Sequence, residues 1–140
     1  MLNPAPTNKL DPSLARGVLE SSGADHIVVS FPNTNYQMHL VPTAPALREI
    51  GKRIIGTIRV DARRVDVVDT GGKYVEPVFG RPRRVQGRVL ALSDSARTLT
   101  VDAGMTIHLH LLDDRQRPSD FTHGDLVSCD VKDGATFTQA

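Results

Sequence analysis

The side chains best suited to chemistry in this sequence are basic ones, concentrated in its middle. Residues 52–88 contain ten Lys and Arg residues against four Asp and Glu residues, although the whole chain has a net charge of only +1. Guanidinium groups suit bidentate contacts with phosphate, and exposed aromatic rings stack on unpaired bases. The segment therefore predicts a surface for RNA or single-stranded DNA, composed of Arg59, Arg63, Arg64, Lys73, Tyr74, Phe79, Arg81, Arg83, Arg84 and Arg88.

Two structural roles compete with this interpretation. Charged side chains can protect an exposed sheet edge from aggregation. Alternatively, the basic segment pairs with residues 89–140, which contain four basic and eight acidic residues, either within the chain or between copies of a homo-oligomer. The sequence pI of about 8.0 also lies below the value of about 9 that is typical of nucleic-acid-binding domains. The alternative function is therefore a homo-oligomeric structural or assembly protein without a nucleic-acid ligand.

A second candidate site is the pair His108 and His110. On a β-strand both imidazoles point to the same side, where they are able to bind zinc or a similar metal. His39 would join them if the two halves of the chain form a repeat, and nearby aspartates would complete the ligand set. Because apolar residues alternate with the two histidines, the pattern also fits hydrated imidazoles on the outer side of a strand.

The sequence contains none of the motifs that commonly mark an enzyme. It has neither a Gly-x-Ser-x-Gly nucleophile elbow nor a phosphate-binding loop ending in Gly-Lys-Ser or Gly-Lys-Thr. Its carboxylates lie in polar segments rich in Ser, Arg and Pro, where charge is normally hydrated. We therefore expect a non-enzymatic binding module that needs no cofactor.

The same sequence predicts a cytoplasmic protein without a membrane partner. Cys129 is the single cysteine, so that no disulfide can form within the chain, which fits a reducing compartment. No apolar run is long enough to cross a bilayer, and the first residues lack the pattern of a secretory signal. Cys129 itself alternates with polar neighbours and is expected in the core.

Apolar residues recur at every second position from residue 27 onward, which is the pattern of β-strands. A short helix is expected to begin at Asp11-Pro12-Ser13 and to end at Gly23, because Asp caps helices and Pro suits their first turn. Residues 46–50 favour one further helical turn. Separate strands are expected at 53–60 and 65–68, joined by a turn that brings Arg59 close to Arg63 and Arg64. The predicted core comprises Ile27, Val29, Phe31, Met38, Leu40, Ile54, Ile58, Val60, Val89, Leu99, Val101, Ile107, Leu109, Leu111, Val127 and Val131.

Many short strands separated by turns indicate a mainly β fold, either an antiparallel OB-like barrel or two packed half-barrels, with one short N-terminal helix. Residues 1–11 are expected to form a flexible arm before a single compact domain at 12–140. Residues 27–60 and 99–131 share an order of strand, turn, strand, loop and glycine, which indicates a weak internal repeat. The repeat would match Met38-His39-Leu40 with Leu109-His110-Leu111, and Gly51 with Gly124; chance similarity between two β-meanders is the alternative.

The second half of the chain also resembles OB-fold and S1-like barrels. The resemblance covers about a third of the chain and lies in Gly87-Arg88-Val89-Leu90, Leu99-Thr100-Val101-Asp102, Ile107-His108-Leu109-His110-Leu111 and His123-Gly124-Asp125-Leu126-Val127. It implies a small antiparallel barrel and carries no particular activity. These strands contain no Trp, Tyr or Phe, which departs from the stacking surfaces of barrels that bind nucleic acid.

Overall fold

Strands dominate the computed structural model, which describes residues 11–45 and 48–140. The strands are β1 (Ala15–Ser22), β2 (Ile27–Ser30), β3 (Gln37–Pro42), β4 (Arg53–Val67), β5 (Tyr74–Glu76), β6 (Phe79–Gly80), β7 (Arg84–Ser93), β8 (Thr98–Asp102), β9 (Thr106–Leu111), β10 (Leu126–Val131) and β11 (Thr136–Gln139). A single 3-10 turn at Pro118–Asp120 is the helical structure in this part of the chain. The mainly β prediction is confirmed.

The prediction of an N-terminal helix is wrong, because that segment forms a turn followed by β1. Asp11 accepts hydrogen bonds from the backbone and hydroxyl of Ser13, at 2.8 and 2.6 Å, so that its carboxylate closes one turn without starting a helix. Burial then alternates along β1: Ala15, Gly17 and Leu19 are buried, and their neighbours are not. Burial at every second residue is the pattern of a β-strand, whereas a helix would bury residues three and four positions apart.

The predicted turn between Val60 and Val65 is also absent, because β4 runs without interruption through this region. Ala62 is fully buried and continues the alternation of the strand. Between Ala62 and Val65 the strand bulges by one residue against β10. The bulge places two successive arginines on the outside instead of folding them back towards Arg59.

Hydrogen-bonded pairings close two rings of five strands, and the two rings share β4. In the first ring, β1, β2 and β3 form an antiparallel meander, β11 pairs parallel to β3, and β4 connects β11 back to β1. In the second ring, β7, β8 and β9 form the meander, β4 pairs parallel to β9, and β10 connects β4 back to β7. Each half of the chain therefore supplies one strand to the other half.

Corresponding positions in the two rings make corresponding hydrogen bonds. Leu19 exchanges backbone bonds with Lys52 and Gly51, at 3.0 and 2.7 Å, and Val89 does so with Asp125 and Gly124, at 2.9 and 2.8 Å. The strand registers align Met38-His39-Leu40 with Ile107-His108-Leu109, two residues earlier than the sequence pattern matched them. A duplication of the half-chain stays a prediction.

The inward side chains of both rings join in one continuous apolar cluster. Every residue of the predicted core is buried, and Cys129 is 2% exposed within the same cluster. The predicted arm, apart from Asp11, and part of the helical turn predicted at 46–50 lie outside the described residues. Within the described ranges, no helix has the length and apolar character needed to cross a bilayer.

Candidate nucleic-acid interface

The basic segment divides into two regions instead of forming one stripe. Arg59, Arg63 and Arg64 project from the outer side of β4, which carries exposed aspartates as well. The remaining candidates lie on or next to β5, β6 and β7. Register places Arg59 between Thr136 of β11 and His108 of β9, on the seam where the two rings meet.

Three of the basic candidates pair with aspartates from the C-terminal third of the chain. The ion pairs join Lys73 to Asp102 at 2.8 Å, Arg81 to Asp133 at 2.9 Å and Arg84 to Asp130 at 2.7 Å. A fourth pair, at 3.0 Å, joins Arg64 to Asp66 on its own strand. Much of the basic excess is therefore neutralised within the chain, as the structural alternative expected.

Arg84 and Tyr74 are half-buried and already engaged in contacts with each other and with neighbouring side chains. Besides Asp130, Arg84 donates to the Ser128 hydroxyl at 2.8 Å, and its contacts with Tyr74 and then Asp130 raise the pKa of the guanidinium. Arg88 donates to the Gly124 carbonyl at 3.1 Å. These side chains hold β5, β7 and β10 together.

Arg59, Arg63 and Arg83 remain available for a ligand. All three are exposed, and no carboxylate of the described ranges lies within ion-pair distance of them. Arg83 lines an open groove of about 550 Å³ together with Glu76, Pro77, Val78, Arg84 and Asp130.

His108 and His110 point to the same side of β9, but each imidazole has its own partner. His108 Nε2 donates to the Ser13 carbonyl at 2.7 Å, which leaves Nδ1 to accept from the Thr100 hydroxyl at 3.1 Å. His110 Nδ1 lies 3.0 Å from an Asp61 carboxylate oxygen. Within residues 11–45 and 48–140, no cluster of three or more His, Cys, Asp or Glu side chains is arranged to hold a metal. Metal binding by His108 and His110 stays a prediction.

His39 contacts a different group of side chains, on the outer side of the first ring. Its imidazole stacks on that of His26, with ring centroids 4.7 Å apart and an interplanar angle of 14°. The ring of Phe79 meets His39 edge to face, with centroids 5.1 Å apart. We call His26, His39, Phe79 and Arg81 the aromatic platform.

Short segments of the chain hold this platform in place. His26 directly precedes β2, and His39 lies opposite Val28 on β3, where its inward neighbours Met38 and Leu40 are fully buried. Phe79 reaches the same face because β6 pairs parallel to the start of β3. Its side chain is 62% exposed, so that most of the ring is open to a ligand.

The platform borders a cavity of about 140 Å³, lined by Asp25, His26, His39, Val41, Arg81, Asp133, Gly134 and Ala135. His39 Nε2 is buried and has no hydrogen-bond partner within the described part of the chain. Burial, followed by the nearby His26 and Arg81, lowers the pKa of His39. These surroundings therefore favour the neutral imidazole.

Sequence reasoning found Phe79 and Arg81 but missed His26 and considered His39 only as a metal ligand. Alternation along the hairpin placed His39 on the outer face of β3. Phe79 reaches His39 because the short strand β6 pairs parallel to the start of β3. These two segments lie far apart in the sequence, and no local pattern predicts their pairing. No protein-family model, curated protein or solved structure matches this chain.

Proposed function

We propose that this protein binds single-stranded nucleic acid on the aromatic platform of its first ring. The observation that carries the proposal is the exposed Phe79 ring, supported by two stacked imidazoles and adjacent to arginine. Unpaired bases stack on aromatic side chains with little dependence on sequence, and arginine contributes both phosphate contacts and stacking. RNA and single-stranded DNA both fit this chemistry.

The order of the strands supports the same location. A meander of three strands, a parallel partner for the third and a strand that closes back to the first describe an OB-like arrangement in the first ring. OB-folds bind oligonucleotides and oligosaccharides on the face of strands two and three and on adjoining loops. The platform occupies that face, because His26 leads into β2 and His39 lies on β3.

The charges near the platform favour a moderate affinity for nucleic acid, with a weak dependence of that affinity on salt. Arg81 lies within it, and Arg83 extends the positive surface into the neighbouring groove. Glu76 and Asp130 line that groove as well, so that few phosphates can be neutralised. We expect the shallow salt dependence of a protein that contacts about one or two phosphates.

Homo-oligomeric assembly is the second candidate, and one observation favours it. Val78 and Phe79 are adjacent and 50% and 62% exposed, which is an apolar pair that self-association would also cover. Charge complementarity between copies is a weaker argument, because three of the C-terminal aspartates already pair within the chain.

Fluorescence anisotropy with labelled RNA and single-stranded DNA of about 12 nucleotides tests the proposal. Replacing Phe79 by Ala is expected to cost about 1–3 kcal/mol of binding, which is roughly a 5- to 150-fold loss of affinity. Phe79→Tyr keeps a stacking ring and is expected to bind normally. Val67→Ala is the matched control, because Val67 is 56% exposed and lies on β4, away from the platform.

The arginines and the oligomeric state provide the second comparison. Arg83→Ala is expected to reduce the slope of log affinity against log salt by about one, whereas Arg63→Ala leaves it unchanged. Absence of binding by the wild-type protein at low salt would contradict the proposal. If light scattering then shows an oligomer that Phe79→Ala dissociates, the assembly function is correct instead.

A further inference from the structure

The cavity beside the platform is lined by an arginine and two imidazoles, which can donate hydrogen bonds to an anion, and by the carboxylates of Asp25 and Asp133. Two imidazoles and Arg81 line it, and one imidazole nitrogen, His39 Nε2, is buried without a partner. A buried polar atom without a hydrogen bond is rare in native structures and calls for an explanation. The cavity of about 140 Å³ has room for a phosphate group, since one water occupies about 30 Å³ of the liquid.

We infer that this cavity is a phosphate subsite, in which a phosphate oxygen accepts a hydrogen bond from a protonated His39 and Asp133 occupies Arg81 while the site is empty. The inference rests on the proposed function, because the phosphate of a bound strand is its natural source. A free phosphate monoester has the same chemistry, and the experiment separates the two sources.

Asp133 is a replaceable occupant. Its ion pair with Arg81 is 2.9 Å long, but the two side chains are 64% and 65% exposed, and exposed pairs contribute little. Asp133 lies in the short connection between β10 and β11, opposite the stacked imidazoles. A phosphate that binds Arg81 therefore displaces one carboxylate and adds a contact with His39.

Binding in this subsite takes up a proton. His39 is faced by His26 and Asp25 from the connection before β2, by Arg81 after β6, and by Asp133 from the connection before β11. Burial, followed by the nearby His26 and Arg81, lowers the pKa of His39 and so favours its neutral form. A phosphate anion reverses this preference, because an opposite charge favours the protonated imidazole.

The stability of the protein and its affinity for phosphate are expected to change in opposite directions with pH. Because the pKa of His39 is lower in the fold than its ordinary value of 6.5, the unfolded state binds more protons just below that value, and stability falls on acidification. Affinity for phosphate changes in the opposite direction and rises on acidification. Measuring both in the same buffers separates proton uptake from general unfolding.

The experiment compares oligonucleotide affinity at about pH 7.5 and pH 5.5, on either side of the ordinary pKa of histidine. Wild-type protein is expected to bind several-fold more tightly at the lower pH, and Asp133→Asn more tightly than wild type at both. His39→Phe keeps a ring for stacking on His26 and removes the proton, so that the pH dependence disappears. Asp66→Asn and His123→Gln are the matched controls, since Asp66 forms an equally exposed ion pair and His123 is exposed, and neither lines the cavity.

Inorganic phosphate, followed by the NMR signals of the imidazoles, provides the ligand-class test without an oligonucleotide. Phosphate-induced shifts confined to the His26 and His39 signals, and larger in Asp133→Asn than in wild type, support the subsite. If these shifts occur but no oligonucleotide binds, the proposed function is wrong and the subsite stands. Oligonucleotide binding that neither Asp133→Asn nor His39→Phe alters beyond its control overturns the subsite and leaves the proposed function intact. Absence of both responses overturns both.

Discussion

Two buried glycines, Gly17 in β1 and Gly87 in β7, have corresponding roles in the two rings. A Cβ at Gly17 would overlap the Ser30 carbonyl oxygen, and one at Gly87 would overlap that of Asp102. At both positions a carbonyl oxygen of the paired strand is among the overlapping atoms, together with the Val29 side chain at Gly17, so that the strands themselves must move apart. The residues are thus required by close approach of two strands and not by an unusual φ angle.

Replacing Gly17 or Gly87 by Ala is therefore expected to destabilise the protein by about 1–3 kcal/mol, the usual cost of overpacking. Gly23→Ala is the control, because a Cβ there would lie 3.4 Å from its nearest neighbour, the His26 carbonyl. Urea unfolding measures the difference. Equal stability of all three variants would show that the strands are not packed as closely as described.

Burial makes the thiol of Cys129 unreactive in the folded protein. It is 2% exposed, and burial raises the pKa of its thiol to about 12. Only the thiolate reacts with disulfide reagents, so that the native protein is expected to resist such a reagent at about pH 8 and to react fully in urea. Rapid reaction of the native protein would contradict the position of Cys129 in the core.

At the level of elements, β11 is the strand on which the first ring depends. It pairs with both β3 and β4, and Phe137, which is 3% exposed, fills the space beside Gly56. This strand comes from the far end of the chain. The first ring therefore cannot close without β11.

Phe137→Ala is expected to cost about 3–5 kcal/mol, as is usual for a buried phenylalanine. Hydrogen exchange should accelerate by a similar factor in both rings, because the rings share β4 and open together. The control is Thr138→Ala, because Thr138 is exposed and its side chain makes one hydrogen bond within the described ranges, to Thr43 at 3.0 Å. Unchanged stability of Phe137→Ala would contradict the role of β11 in closing the first ring.

Short-range patterns predicted most strands, because alternation of apolar residues directly reflects the two faces of a ring. The predicted core residues Leu99 and Val101 lie at alternate positions of the strand Thr98–Asp102, and Val127 and Val131 lie on the strand Leu126–Val131. The N-terminal helix was wrong because Asp11 and Pro12 stabilise an isolated turn as well as a helix start. The continuity of β4 was missed because two successive arginines resemble a polar turn, whereas they form a bulge.

On the scale of the whole molecule, the shared strand β4 couples the two rings. Its first part pairs with β1 and β11, and its last part with β9 and β10. Loss of β4 would open both rings at once. Nothing local in the sequence signals this exchange, since it depends on pairings between residues separated by nearly half of the chain.

Coupling through β4 predicts a single unfolding transition. Hydrogen exchange in increasing urea should give the same opening free energy for amides of β2 in the first ring and of β8 in the second. Two well-separated free energies would mean that the rings unfold independently, in spite of the strand that they share.

The candidate site shows the same division between local and long-range information. Composition drew attention to the basic segment, and Phe79 and Arg81 lie where a ligand could reach them. The sequence could not show that three aspartates neutralise this segment from within. Nor could it show that β6 carries Phe79 to the imidazoles of the first ring.

Binding of single-stranded nucleic acid on the aromatic platform is tested most directly by an NMR titration of isotope-labelled protein with single-stranded oligonucleotides of RNA and DNA. We predict that the largest backbone and side-chain shifts occur at His26, His39, Phe79 and Arg81, and extend to Arg83. Shifts centred instead on Arg59 and Arg63, on the outer side of β4, would contradict it, and so would a spectrum that does not change at low salt.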